Sequence, residues 1–154
     1  MNKTEMLQPL VEQSLTDINF IDRYREISDE FSIKDESYNY EKSDVVNILN
    51  ELGVVVNLYE GDQYFADFET IDDYQFRFGL TIKFNIVEFD LTVKNESLSI
   101  KSGGSWGLLV QLMTDWRENV KKPGFGNHEQ LKSLLTMAVI LYEDIKKELL
   151  SSQA

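Results

Sequence analysis

Apolar side chains recur at intervals of three and four through the first part of the chain: Met6, Leu7, Leu10, Val11, Leu15, Ile18, Ile21, Tyr24, Ile27 and Phe31. That period predicts helix over residues 4–31. Thr4 suits an N-cap, Pro9 falls near the first turn where it is tolerated, and Thr16-Asp17 offers a second cap that would divide the segment into two helices. Ile33 to Lys42 is polar apart from Tyr38 and Tyr40 and reads as a loop. Ser43 then caps a short helix through Leu52, which Gly53 ends at a position that favours a left-handed residue.

From Val54 the period changes to two. Val54–Glu60 reads as a strand, Gly61-Asp62 as a turn, and Gln63–Glu69 as its hairpin partner. After Ile71-Asp72-Asp73 the alternation is at its clearest, with Phe76, Phe78, Leu80, Ile82, Phe84 and Ile86 at every second position. It then slips by one to Val87, Phe89, Leu91 and Val93, so a bulge or tight turn near Asn85–Glu88 is needed to keep both apolar sets on one face. Ser97–Lys101 makes a short last strand, and Gly103-Gly104 is expected to break the sheet.

Ser105 is placed to cap a helix running to about Glu118, with Trp106, Leu109, Val110, Met113 and Trp116 as its apolar stripe. A loop over residues 122–127 leads to a long final helix from about His128 to Leu150. Met137, Val139 and Ile140 widen the apolar face of that helix until its middle is apolar nearly all round, which calls for cover on two sides, by the sheet and another helix or by a second copy. The pattern predicts a single domain over 1–154 of the α+β class. Its core is an antiparallel meander of four or five strands, with N-terminal helices and two C-terminal helices packed on one face.

Composition narrows the function classes. The absence of cysteine excludes a disulfide scaffold, thiol catalysis and thiolate-held metals, and a lone histidine, His128, excludes a polyhistidine centre. No signal peptide and no membrane span is expected, since the longest apolar run is Met137–Tyr142. The expected location is therefore cytoplasmic.

Charge changes the picture most. The net charge of −12 sits in one half: residues 1–73 hold 18 acidic and 5 basic side chains, residues 74–154 hold 9 and 10. Between Lys42 and Arg77 there is no basic residue. Such a surface repels nucleic-acid phosphate and anionic lipid and attracts basic partners. The first hairpin is the centre of that stretch, and it carries tyrosines among its acids. Tyr59, Glu60, Asp62, Tyr64, Asp67, Glu69, Asp72 and Asp73 are accordingly the expected partner-binding residues.

Catalytic patterns are weaker. Gly103-Gly104-Ser105-Trp106-Gly107 fits Gly-x-Ser-x-Gly, and Asp115 or Asp144 with His128 would complete a triad on paper. That elbow belongs to mostly parallel sheets, whereas these strands read as antiparallel hairpins. The acids of residues 60–73 do not follow a calcium-loop spacing. No catalytic residue, metal or cofactor is therefore assigned.

Small size, a single domain, no cysteine, strong acidity and no catalytic motif together form a profile that resembles bacterial immunity proteins, which neutralise contact-delivered toxins. The resemblance implies a non-enzymatic inhibitor that occludes the active site of a basic toxin, often a nuclease; the apolar last helix allows a monomer or a homodimer through it. Other readings stay open. A nucleic-acid mimic would need carboxylates spaced along one surface at about 7 Å, twice the rise of a strand. A secretion-type chaperone would need an apolar groove. A small-ligand or enzymatic domain would need a pocket between sheet and helices, with Ser105 as its nucleophile.

Overall fold

A computed structural model describes residues 3–32, 35 and 37–152, with the side chains of Thr4, Glu5, Leu58 and Tyr59 outside that description. The elements follow the order α1 (Lys3–Met6), α2 (Pro9–Asp17), α3 (Phe20–Glu30), α4 (Lys42–Glu51), β1 (Val56–Glu60), β2 (Gln63–Ala66), β3 (Glu69–Ile71), β4 (Tyr74–Lys83), β5 (Ile86–Asn95), β6 (Ile100–Ser105), α5 (Trp106–Met113) and α6 (His128–Ser151). All strand pairings are antiparallel, so the α+β class expected from the hydrophobic pattern is the observed one.

The N-terminal helical run is broken twice. Pro9 opens α2 at a position where its missing N–H costs nothing, and Asn19 adopts a left-handed conformation (φ 57°) that ends α2 and starts α3. Thr4 lies inside α1 and is not a cap. Nor is Ser43: α4 begins one residue earlier, and the Asp44 carboxylate accepts the Glu41 backbone N–H at 3.1 Å. Gly53 (φ 86°) closes that helix as the pattern requires.

The sheet runs β1-β2-β4-β5-β6, with β3 also paired to β4. β2 and β3 share one edge of β4, because Gln63, Tyr64 and Phe65 pair with Thr81, Leu80 and Gly79, while Glu69, Thr70 and Ile71 pair with Phe76, Gln75 and Tyr74. Between the two runs the register slips by one residue, so residues 63–71 behave as one strand interrupted by a bulge at Ala66–Phe68. The expected single hairpin partner is thereby divided. β4 and β5 meet in a two-residue turn, Phe84-Asn85, with both residues at positive φ (53° and 58°), as a type I′ turn demands. That turn accounts for the one-residue slip in the alternation, and it removes Phe84 from the apolar face: the ring is 76% exposed.

Gly103 and Gly104 do not break the sheet. They stand inside β6 at φ 144° and 150°, and a Cβ on Gly103 would meet the backbone carbonyl of Leu91 on β5. Ser105 caps α5 as expected, its Oγ accepting the Leu108 N–H at 3.3 Å. The helix stops at Met113, short of the expected end, because Asp115 and Trp116 both turn left-handed. The segment 120–125 continues as a surrogate strand: the Val87 N–H donates to Pro123 O at 2.8 Å and the Phe125 N–H to Asn85 O at 3.1 Å.

All helices cover one face of the sheet. Phe76, Phe78, Leu80, Phe89, Leu91, Trp106 and Tyr142 fill the space beneath them, with Trp106 edge-on to Phe20 and Tyr24. α6 lies between β4 and the layer of α2, α3 and α4. Its wide apolar face is thus covered within the chain on both sides, leaving Ile140 as its exposed large apolar residue among the described residues.

Candidate functional site

The acids of the first hairpin region are exposed, but β4 distributes them. Glu60 and Asp62 occupy the β1–β2 tip, where the Ile82 N–H donates to Asp62 O at 2.9 Å, so the tip lies beside the far end of β4. Asp72 (φ 53°) and Asp73 form the turn that precedes Tyr74 at the near end. Eight strand rises separate these ends, about 26 Å. Asp67 and Glu69 fall between them, at the bulge. Tyr64 is corrected from a surface anchor to a core residue: it pairs with Leu80, shares its inward face and is 1% exposed. The Tyr59 backbone pairs with Tyr64, and its side chain lies outside the described residues.

The bulge builds the most structured part of this surface. On the outer face, Arg77 places its guanidinium over the Phe65 ring at 4.7 Å and the Phe68 ring at 5.3 Å, and its Nε donates to the freed carbonyl of Ala66 at 3.0 Å. Lys94 approaches the Phe68 ring at 4.4 Å. The first basic residue after the acidic stretch is therefore consumed in holding the bulge.

The slip in register turns Glu69 toward the helix layer, since its partner Phe76 points inward. There Lys146 of α6, itself buried, donates to Glu69 at 2.6 Å, pairs with Glu143 at 2.9 Å and lies 4.7 Å from the Tyr142 ring centroid. Burial, followed by Glu69 and Glu143, holds the Tyr142 hydroxyl well above the usual phenol range. Beside this cluster a depression of about 250 Å³ opens between Val55, Asp67, Phe68, Glu69 and Glu143, with Phe78 and Tyr142 as its floor. Asp67 is held by Asn57, whose Nδ2 donates to it at 2.6 Å. The charged residues of its lining are Asp67, Glu69 and Glu143, so the depression combines an aromatic floor with carboxylates at its rim, with Lys146, Arg77 and Lys94 close behind.

Elsewhere on the outer face, burial pushes the Asp90 carboxyl up to about 6, with the neighbouring Glu88 adding to the effect. Asp90 pairs directly with Ser105, but the Ser105 hydroxyl is engaged in capping α5, and His128 is exposed at the start of α6. Asp144 is bonded to Arg23 at 2.6 Å and Asp115 lies near Lys3 and Arg117, both at 3.8 Å. Ser105, Asp115 and Asp144, drawn from the sequence as triad members, therefore have separate structural occupations. Among the described residues no group of three or more His, Cys, Asp or Glu is arranged to hold a metal ion, and no helix is long and apolar enough to cross a membrane.

Sequence reasoning missed Glu143 and Lys146, which reach the site from α6, and two exposed aromatics, Phe84 and Trp116. The one-residue slip in alternation was a usable signal for Phe84. For Trp116 the helical period pointed the wrong way, and only Thr114-Asp115, a pair that readily ends helices, argued against it. Comparison with protein-family models, with curated proteins and with solved structures finds no match, so function rests on the chain's own residues.

Proposed function

We propose that this chain is a non-enzymatic acidic binding protein whose partner is a basic protein. The observation that carries the reading is the bulge depression, whose charged lining residues are the three carboxylates Asp67, Glu69 and Glu143. A lysine or arginine of a partner gains charge neutralisation there. Glu60 and Asp62 at one end of β4, and Asp72 and Asp73 at the other, extend the field and favour encounter with a positive surface. Within that class, the profile of immunity proteins supports a toxin domain as the partner, neutralised by occlusion in the cytoplasm.

A basic protein is preferred over a nucleic-acid-binding channel as the target, because the hairpin acids divide among three places along β4 and form no continuous run at phosphate spacing. The test is chemical cross-linking in source cells, purification of the basic protein recovered, and calorimetric titration against wild type and an Asp67→Lys/Glu143→Lys variant. A loss of affinity of at least about tenfold is expected for two reversed charges at the contact. Equal affinity for both, or a recovered partner that is acidic, overturns the reading.

A further inference from the structure

Trp116, just beyond the end of α5, presents a second surface. Its ring is 63% exposed, whereas the chain's other indole, Trp106, is fully buried. Trp116 and Asp115 are consecutive left-handed residues (φ 67° and 53°), a conformation unfavourable for a bulky side chain. The backbone there is nevertheless held in place. The Trp116 N–H donates to Gln111 O at 2.7 Å, the Glu118 N–H to Thr114 Oγ1 at 3.1 Å, and Glu118 is tied to Arg25 of α3 at 2.8 Å.

Met113 and Glu118, on either side of Trp116 in the sequence, line a depression of about 350 Å³ whose other wall is the start of α3, Asn19 to Asp22 with Arg25. Next to it α3 turns outward Asp22, Glu26, Asp29 and Glu30, all exposed, while Arg23 is engaged by Asp144 and Arg25 by Glu118 and, at 3.6 Å, by Asp22. Asp22, Glu26 and Glu30 follow at intervals of one turn, about 5–6 Å. Cations on a partner helix repeat at that same interval, and an exposed aromatic beside a shallow cavity is the usual anchor for an apolar residue among them.

From the exposed indole, the cavity and this charge pattern we infer that the Trp116 corner docks an amphipathic basic helix of the partner, with one apolar side chain seated against the Trp116 ring. The inference rests on the reading that the partner is basic, but it places the anchor away from the bulge depression.

The probe is a synthetic helical peptide of lysine, arginine, leucine and alanine, free of tryptophan and tyrosine. Titrated into the full chain, it is expected to shift the exposed indole's emission to the blue and protect it from acrylamide, and Trp116→Ala or Asp22→Lys/Glu26→Lys is expected to weaken binding by about tenfold or more. The Asp67→Lys/Glu143→Lys variant should retain the shift. Thermal midpoints of the Trp116→Ala and wild-type chains should agree closely, since most of the residue lies in solvent. Binding that survives Trp116→Ala without loss, or that proceeds with no change in emission, overturns the inference. If the peptide's affinity instead falls only in the Asp67/Glu143 variant, the basic-partner reading stands and the Trp116 anchor falls. If the peptide does not bind wild type even at low salt, both fall.

Discussion

Lys146 on α6 and Glu69 on β3 meet at 2.6 Å, with the lysine side chain almost wholly withdrawn from solvent and the glutamate half exposed. Removing the ammonium group strands Glu69 and Glu143 beside an apolar wall, whereas an unbranched apolar side chain fills the same channel without a charge to desolvate. Lys146→Ala should therefore cost about 2–3 kcal/mol in urea unfolding, and Lys146→Met less than about 1 kcal/mol. A methionine variant as unstable as the alanine variant would show that the ion pair, and not the filling of space, supplies the stability.

Gly79 and Gly103 are both crowded, by neighbours of different compliance. A Cβ at Gly79 runs into the Phe65 ring, which can rotate away at the expense of its contact with Arg77; a Cβ at Gly103 runs into the Leu91 carbonyl, which belongs to the ladder and has nowhere to go. Gly79→Ala should cost about 1–2 kcal/mol and Gly103→Ala more than about 3 kcal/mol. Thermal unfolding of the two variants in parallel checks the order.

Asp90 makes stability fall with rising pH. Its folded-state carboxyl titrates at about 6, above the ordinary aspartate value, so between about pH 4 and 6 the folded chain holds a proton that the unfolded chain has released. The stabilisation from this group is complete below about pH 4 and is lost as pH climbs through 6. Asp90→Asn should be more stable than wild type at pH 7, by about 1–2 kcal/mol, and indistinguishable from it at pH 4. Urea midpoints at the two pH values decide it; an advantage that is the same at both would remove Asp90 as the source.

Asn85 is buried, and its Nδ2 donates to Asp35 O at 2.7 Å and Tyr38 O at 2.8 Å, tying the stretch before α4 to the β4–β5 turn. It also occupies a left-handed position that asparagine tolerates and alanine does not. Asn85→Ala should cost about 2–4 kcal/mol. Limited proteolysis should cleave the variant between Phe31 and Lys42 well before wild type; unchanged protection there would mean that Tyr38 and Tyr40, both packed edge-on to Phe125, hold the segment without Asn85.

Where hydrophobic period alone governs structure, the sequence could be read directly. The runs of β4 and β5 and the face of α6 were visible because each buries one face against many partners. Local overrides were not visible. A period of three and four carries Trp116 onto the apolar stripe, but two left-handed residues rotate it into solvent. A period of two puts Tyr64 and Phe68 on the same face, but the slip between them sends Tyr64 inward and Phe68 out to Arg77 and Lys94. The acidity of the first half was plain from counting charges; its division along β4 was not, because the distance between Asp62 and Asp73 is a property of the strand they flank. Glu143 and Lys146, from α6, complete the depression only through tertiary contact, for which the linear sequence holds no spacing rule.

The slip at residues 66–68 also supplies an acceptor. Its extra residue frees the Ala66 carbonyl that Arg77 holds, so losing a single residue there would leave Glu69 opposite Phe76 but close the ladder and strip Arg77 of that acceptor. The Gly61-Asp62 tip carries no such dependence, since a longer loop there leaves both ladders in phase. Length variation among natural relatives of this chain should consequently gather at the tip and spare the bulge.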